Sequence, residues 1–282
     1  MNSDERLAAV VTVLEAAGLT CLVMGGHAVR FYGLHRYTSD FDLHLSADGW
    51  DDLAERLNRS PLAAGGPLPE GPSWRPHAFR RFQIGRLDDG REEWLEFWRE
   101  NHLLDAFPAL HARREEGEYG GRILPFLGLA DLIRSKETER ESDWEDVLVL
   151  EEFLDARSFA TLGSGRATAE VVLSSVRSRR GFERVHQAGL LNDADAVRNA
   201  IARVGHPVSW CYLAPSAPGV PDPPAAFEIE PVVVARLRTA GPGSPLHLSL
   251  VEIARRRYKA RCQAADAANK QAIRASSEGG AG

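Results

Sequence analysis

Residues 25–45 decide the fold, and they read GGHAVRFYGLHRYTSDFDLHL. A short β-type run at residues 20–24 precedes the two glycines, and helical spacing follows them as far as Gly33. The last part of the stretch alternates between apolar and polar residues, as a half-buried strand does, and its polar face carries Asp40, Asp42 and His44. The sequence therefore predicts a strand, a Gly-Gly turn, a short helix and a second strand whose polar face holds two carboxylates.

The spacing of Asp40 and Asp42 indicates a cation site. Two carboxylates at i and i+2 converge on one side of a strand, and they repel each other when no cation lies between them. Oxygen ligands of this kind suit Mg²⁺, which usually takes one or two protein carboxylates together with substrate phosphates. Upstream, Gly25 and Gly26 open a helix without a Cβ in the way, so backbone N–H groups are accessible to a phosphate. A solvated strand face is the alternative interpretation of the two carboxylates.

A third carboxylate lies in a predicted hairpin. Residues 79–87, FRRFQIGRL, and residues 92–98, EEWLEFW, are two β-type runs, and the Asp-Asp-Gly between them is typical of a hairpin turn. Glu96 stands in the second run between two large apolar residues. We expect either a functional carboxylate on this strand or an acidic residue that keeps an edge strand soluble.

Strand and helix patterns alternate over the first 157 residues. Helical spacing marks residues 4–17, 47–58, 102–116, 128–140 and 141–157, and residues 122–126 form a further short β-type run. This alternation, with its internal hairpin, predicts an α+β or α/β domain over residues 1–157, a mixed sheet flanked by helices.

The C-terminal part, residues 158–282, is predicted to be a mostly α-helical domain. Helical spacing is found at residues 167–188, 193–203 and 246–274, and no convincing strand pattern accompanies it. The Pro-rich segment 206–231 predicts a linker or wrapping loop. Residues 276–282, SSEGGAG, are expected to form a frayed tail.

The composition of the 282 residues, 44% hydrophobic and 26% charged, is typical of a soluble globular protein. No apolar run reaches the roughly 18 residues that a membrane span needs, and the N-terminus lacks the basic and apolar regions of a secretory signal. We therefore expect a cytoplasmic protein with no membrane partner. Three scattered cysteines favour neither a disulfide framework nor a zinc site; they are Cys21, Cys211 and Cys262.

Charge is distributed unequally along the chain. Residues 1–157 hold 18 basic and 30 acidic side chains, whereas the remaining residues hold 16 and 10. The acidic part suits a site built from carboxylates, and the basic part suits an anionic partner such as nucleic acid, although attraction between two domains explains the asymmetry equally well. The run RRRYKAR at residues 255–261 accordingly indicates an RNA or partner surface, or a solvated helix face.

Lys136 is unusual in this Arg-rich chain. Only three of the 34 basic residues are Lys, and Lys136 is the only one before residue 259. Because Lys presents a compact point charge where Arg presents a planar fork, a position that stays Lys is a candidate phosphate contact.

Three motifs follow one another along the chain: Gly25-Gly26, Asp40-Phe41-Asp42-Leu43 and Leu95-Glu96-Phe97. In this order they resemble the nucleotidyltransferase superfamily of the DNA polymerase β type. Its pattern is a strand, Gly-Gly or Gly-Ser, a spacer, Asp-h-Asp/Glu-h and a later h-Asp/Glu-h, where h is apolar. Small bacterial branches often show Arg-x-Thr-x-Asp-h-Asp, which matches Arg36, Thr38, Asp40 and Asp42. They often show a Leu-Ile-x-x-Lys helix followed by Arg and Asp-h-x-Asp-h, which matches Lys136, Arg140, Asp143 and Asp146. The resemblance covers roughly residues 5–155 and implies the nucleotidyltransferase fold there.

The resemblance also implies a site. Two Mg²⁺ ions, or Mn²⁺ in their place, would be held by Asp40, Asp42 and Glu96, and Glu96 would take the proton of the attacking hydroxyl. An NTP such as ATP would be the co-substrate, and the implied nucleotide-binding residues are Gly25, Gly26, Arg36, Thr38, Ser39 and Lys136. Glu96 departs from the Asp that is commoner in these small enzymes, and its longer side chain changes the metal geometry.

The implied reaction is transfer of NMP from an NTP to an acceptor hydroxyl, with release of pyrophosphate. The chain is similar to abortive-infection and toxin–antitoxin nucleotidyltransferases, so an RNA or tRNA end or a protein is the expected acceptor and a cognate antitoxin or toxin the expected partner. Two alternatives stay open. One is an antibiotic nucleotidyltransferase acting on aminoglycosides or lincosamides, and the other is a catalytically inactive, nucleotide-binding antitoxin or scaffold.

Overall fold

A six-stranded mixed sheet forms the centre of the N-terminal part in the computed structural model, which describes residues 2–73, 75–87, 90–217, 219 and 222–279. The strands are β1 (Cys21–Val23), β2 (Phe41–Leu45), β3 (Phe79–Arg86), β4 (Glu92–Trp98), β5 (Glu115–Tyr119) and β6 (Arg122–Phe126). They lie in the order β3-β4-β2-β1-β6-β5.

The pairing of the strands is both parallel and antiparallel. β1 pairs antiparallel with β2 and parallel with β6. β4 pairs parallel with β2 and antiparallel with β3, which confirms the predicted hairpin; its turn residues Asp88 and Asp89 lie outside the described residues. The mixed sheet with flanking helices predicted from the sequence is therefore confirmed.

The α-helices that accompany this sheet in the described residues are α1 (Ser3–Ala16), α2 (Gly25–Phe31), α3 (Leu53–Asn58), α4 (Phe107–Ala112) and α5 (Leu129–Ser135). The helix predicted at residues 4–17 is α1, which buries the apolar side chains that its spacing places on one face: Leu7, Val10, Val11 and Leu14. Gly18 follows it with a φ of +73°, a conformation that glycine adopts without a steric cost.

The helix predicted over residues 102–116 is wrong at both ends, because residues 102–106 are not helical and the last residues of the range enter a strand. Only α4 is helical there, and the acidic segment Glu115–Tyr119 forms β5. This segment pairs with β6 through a tight turn at Gly120 and Gly121, whose φ values are both positive. Such a turn suits a two-residue hairpin, so pairing with β6 overrides the weak strand propensity of glutamate. The helix predicted at 47–58 is likewise shorter, because α3 begins at Leu53.

Seven α-helices follow in the described residues after α5: α6 (Glu141–Gly163), α7 (Ala169–Ser175), α8 (Arg179–Gln187), α9 (Ala194–Ile201), α10 (Pro207–Leu213), α11 (Pro231–Thr239) and α12 (Pro245–Gly279). The chain divides into one compact unit of Met1–Glu137 with Ala267–Gly282 and a second of Thr138–Asp266. The boundary that we expected after Arg157 lies inside α6. The whole of this helix belongs to the second unit, and its Asp155 accepts hydrogen bonds from the backbone N–H and the hydroxyl of Ser178.

The Pro-rich segment 206–231 differs from the linker or wrapping loop that we expected. It begins with α10, whose residues are all buried and whose Trp210 lies in the core of the helical unit. Pro207 occupies the first helical position, where the missing N–H has no intrahelical partner to lose. Burial of this aromatic segment therefore outweighs its proline content.

The last helix, α12, continues to Gly279, beyond the start of the tail expected at residue 276, and residues 280–282 lie outside the described residues. None of the helices in the described ranges has both the length and the apolar character that crossing a bilayer requires.

Candidate active site

The sheet brings Asp42 and Glu96 side by side. They are register partners on the parallel strands β2 and β4, so their side chains project from the same face at the same level. A side-chain hydrogen bond joins the two carboxyl groups. Asp40 precedes β2 by one residue, and its carboxylate accepts hydrogen bonds from the Trp94 backbone N–H and from the Ser39 hydroxyl, the latter at 3.3 Å. The three carboxylates expected from the sequence therefore lie together.

Burial and mutual repulsion dominate the electrostatics of this group. The pKa of Glu96 is raised well above its ordinary value, first by burial and then by the charges of Asp42 and Asp40. The pKa of Asp40 is raised by the same two causes, burial and the charge of Asp42. Arg81 opposes both shifts without cancelling them. Without a cation, Glu96 consequently holds a proton near neutral pH, and its O–H donates a hydrogen bond to the Asp42 carboxylate.

The two glycines pack closely against the carboxylate strand and the segment before it, Gly25 against Asp42 and Gly26 against Thr38. Gly25 has a φ of +61°, and a Cβ there would lie 2.5 Å from Cγ of Asp42. A Cβ at Gly26 would lie 2.6 Å from Cβ of Thr38. Both distances are too short for a real Cβ, so glycine at position 25 lets the chain pass close to Asp42 and glycine at position 26 lets it pass close to Thr38.

The other residues implied in nucleotide binding lie on three elements. Thr38 and Ser39 belong to the segment that leads into Asp40, and the Thr38 side chain packs against Gly26. Arg36 lies in the same segment and is partly buried. Lys136 directly follows α5 and is only 6% exposed. The approach of Arg36 and Lys136 to the carboxylates remains a prediction.

Arg140, Asp143 and Asp146, which the resemblance also matched, lie in the second unit. There Asp143 accepts hydrogen bonds from Arg140 at 2.8 Å and from the Thr138 hydroxyl at 2.6 Å.

A buried hydrogen-bond network holds the glycine helix α2 in place. His27 is fully buried, and its Nδ1 lies 2.9 Å from the Tyr119 hydroxyl, which donates to Asp4 at 2.8 Å. Arg30, one turn along α2, donates to the same Asp4 carboxylate at 3.1 Å. Burial lowers the pKa of His27 to about 4, although Asp4 acts in the opposite direction. No sequence pattern indicated Tyr119 or Asp4, because the network joins α1, α2 and β5, which are far apart in the chain.

Arg81 also lies at this site, and no sequence motif singled it out. It lies on β3 as the register partner of Glu96, which pairs in turn with Asp42, so one row across three strands contains a cation and two carboxylates. Its guanidinium carbon lies 4.3 Å from the centre of the Trp94 ring. The hairpin pattern contained the signal, because counting back from the predicted turn places residue 81 close to the level of residue 96.

The donor chemistry of the group fits Mg²⁺ bound together with a nucleotide. Among the described residues, no three His, Cys, Asp or Glu side chains converge closely enough to hold a metal ion by themselves. Mg²⁺ seldom uses such an all-protein cage, because it takes one or two carboxylates and completes its shell with water and substrate phosphates. Asp42 and Glu96, with Asp40 beside them, supply carboxylates of this kind.

Comparison with protein-family models found no match, and comparison with curated proteins found none either. Among solved structures, the chain is similar to an antigenic nucleotidyltransferase-like protein from Paracoccidioides brasiliensis, with 16% identity, a TM-score of 0.37 and coverage of 52% of this chain and 74% of that chain. It is also similar to the lincosamide antibiotic adenylyltransferase LnuA bound to lincomycin, with 15% identity, a TM-score of 0.40 and coverage of 54% and 98%. Because similarity at this level does not transfer an activity, we base the function on the residues of this chain.

Proposed function

We propose that this protein is a metal-dependent nucleotidyltransferase, which transfers NMP from an NTP to an acceptor hydroxyl and releases pyrophosphate. The observation that carries the proposal is the contact between the glycine turn and the carboxylate pair. Gly25 lies against Asp42, and Asp42 pairs with Glu96. A solvated strand face has no need of a glycine over its carboxylate. A phosphate held between backbone N–H groups and carboxylate-bound metal requires both parts.

Each residue then has a role in the proposed reaction. Asp40, Asp42 and Glu96 hold the metal ions, and bound Mg²⁺ or Mn²⁺ would neutralise phosphate charge and align the attacking and leaving oxygens. Glu96 is also assigned the proton of the acceptor hydroxyl, because a bound cation would release the proton that Glu96 holds in its absence and leave a carboxylate beside the attacking oxygen. Gly25 and Gly26 let the backbone approach the triphosphate, and the remaining contacts are assigned to Arg36, Thr38, Ser39 and Lys136.

For the acceptor we propose a protein hydroxyl, with an RNA or tRNA end as the alternative. The cations of the basic run 255–261 mostly pair with acidic residues of their own unit: Arg255 with Glu151, Arg257 with Glu230, Lys259 with Glu141 and Arg261 with Glu228. These pairs reduce the charge that the run can offer to RNA. The motif around Asp40 supports a toxin or defence-system role with a cognate partner, and an antibiotic acceptor or an inactive nucleotide-binding scaffold are the competing proposals.

The test is incubation with α-labelled NTPs and Mg²⁺, Mn²⁺ or a chelator, in the presence of bulk tRNA, the product of a neighbouring gene, or an antibiotic panel. We expect metal-dependent transfer of label to the protein acceptor. Asp40→Asn and Asp42→Asn should abolish transfer and keep the melting temperature, because each change relieves repulsion. The exposed Asp51 supplies the matched control Asp51→Asn. Nucleotide binding without transfer to any acceptor would support the inactive scaffold, and absence of both would overturn the proposal.

A further inference from the structure

The row Arg81, Glu96, Asp42 places one cation on the same face as the carboxylates. Trp94 and Glu96 are two residues apart on β4, so their side chains share this face. The Arg81 guanidinium extends over the Trp94 ring, with its carbon 4.3 Å from the ring centre. Its charge also acts on Asp40 and Glu96, which places Arg81 beside the candidate metal site.

The Arg81 side chain is held firmly in this position. A Cβ at Gly71 would lie 2.9 Å from Nε of Arg81 and 2.6 Å from the Trp94 ring, so Gly71 leaves no space on its side. The Gly71 N–H also donates to the Arg81 carbonyl at 2.9 Å. Packing of this kind orders a long side chain before any ligand arrives, and it thereby lowers the entropic cost of binding.

The guanidinium is nevertheless not committed to a protein partner. Within the described ranges Arg81 makes no ion pair, and its buried Nε has no hydrogen-bond partner. The neighbouring Arg80, whose side chain leaves the opposite face of β3, is fully engaged. Its Nε and Nη2 donate to the Glu70 carboxylate at 2.7 and 2.9 Å, and Nη1 donates to the Trp50 carbonyl. Arg81 is thus an ordered cation that pairs with no carboxylate of the described residues.

We infer that Arg81 binds the triphosphate of the nucleotide, and this inference rests on the proposed function. Three carboxylates repel a polyanion, so a fixed cation on the same face offsets part of that repulsion. The planar fork of Arg matches two phosphate oxygens at once, which a Lys point charge does not. Neutralisation of the carboxylates alone would favour a direct ion pair with Glu96 or Asp40, and Arg81 forms none.

The experiment measures binding by calorimetry, with Ca²⁺ in place of Mg²⁺ to suppress turnover. The probes are ATP, inorganic tripolyphosphate and adenosine, and the variants are Arg81→Gln, Arg81→Lys and the control Arg80→Gln. We expect Arg81→Gln to weaken ATP and tripolyphosphate binding by about tenfold or more and by similar factors. Adenosine affinity should not change. Arg81→Lys should recover only part of the loss, and Arg80→Gln should bind as the wild type does.

Several outcomes separate the two proposals. Wild-type protein that binds neither ATP nor tripolyphosphate contradicts the proposed function itself. Wild-type binding that Arg81→Gln leaves unchanged overturns the role of Arg81 alone. Should Arg81→Gln fail to fold, wild-type affinity in Arg81→Lys overturns the role, because Lys does not reproduce the two-oxygen contact.

Discussion

Asp42 occupies the space that a side chain at position 25 would need, since a Cβ on Gly25 would lie 2.5 Å from its Cγ. The backbone of Gly25 is also in the left-handed region, with a φ of +61°. The turn before α2 and the carboxylate on β2 therefore constrain each other. A substitution at Gly25 tests this constraint without altering any charged group.

We expect Gly25→Ala to lower both the free energy of unfolding and the affinity for metal–NTP. The left-handed backbone alone costs alanine about 1–2 kcal/mol, and relief of the clash must displace Asp42. Urea unfolding and calorimetry with ATP and Ca²⁺ would measure the two effects. The control is Gly65→Ala, because no atom lies within 4 Å of a Cβ at Gly65. Equal behaviour of the two variants would contradict the close approach of Gly25 and Asp42.

Lys136 is expected to tolerate substitution less well than its neighbour Arg134. Lys136 is buried, whereas the side chain of Arg134 is 53% exposed and lies 3.6 Å from Asp105. If Lys136 contacts a phosphate as a point charge, Lys136→Arg should weaken ATP binding, and Arg134→Lys should leave it unchanged. Lys136→Gln removes the charge without adding volume, so it separates loss of the contact from overpacking. Unchanged affinity in Lys136→Gln would remove Lys136 from the proposed site.

The pair Arg255–Glu151 is predicted to stabilise the helical unit. The two side chains are 16% and 3% exposed, and Nη1 of Arg255 lies 2.7 Å from Oε2 of Glu151. Arg255→Ala leaves a buried carboxylate without its cation, which costs about 3–5 kcal/mol of unfolding free energy. Lys259→Ala should cost no more than about 1 kcal/mol, because Glu141 is exposed. Glu151→Gln in the Arg255→Ala background should restore part of the loss.

The same helix permits a test of RNA binding. Of the cations in the run 255–261, Arg256 is the one for which the described residues provide no acidic partner. We expect replacement of Arg255, Arg256, Arg257 and Lys259 to leave RNA affinity and its salt dependence unchanged. A salt slope that falls by roughly 0.7 per replaced contact would restore the RNA acceptor as the preferred proposal.

His27 is expected to make the protein sensitive to acid. Its native pKa, about 4, lies below the ordinary 6.5, so the unfolded state binds the proton more readily between these values. Stability should therefore fall as the pH is lowered from about 6.5 to about 4, by about 3 kcal/mol from this residue. His27→Gln should flatten that slope in urea unfolding measured from pH 4 to 8. Replacement of the exposed His35 by Gln should retain it.

Local patterns were sufficient for some elements and not for others. The alternation at residues 41–45 correctly predicted β2, because Phe41, Leu43 and Leu45 are fully buried. The same alternation placed His44 on the polar face of β2. In the structure His44 is buried, with its ring against Phe107 of α4. β5 escaped prediction for a similar reason, because Glu115–Tyr119 is a strand only through its pairing with β6.

The sequence by itself determined the β3–β4 hairpin, the Gly-Gly turn and the carboxylate strand, because periodicity and the conformational freedom of glycine act over a few neighbouring residues. Only the tertiary structure decided which distant groups meet. Register between β3, β4 and β2 placed Arg81 beside Glu96 and Asp42, and helix packing directed Arg255 to Glu151. Charge partners depend on distances in three dimensions, which composition and spacing along one chain do not specify.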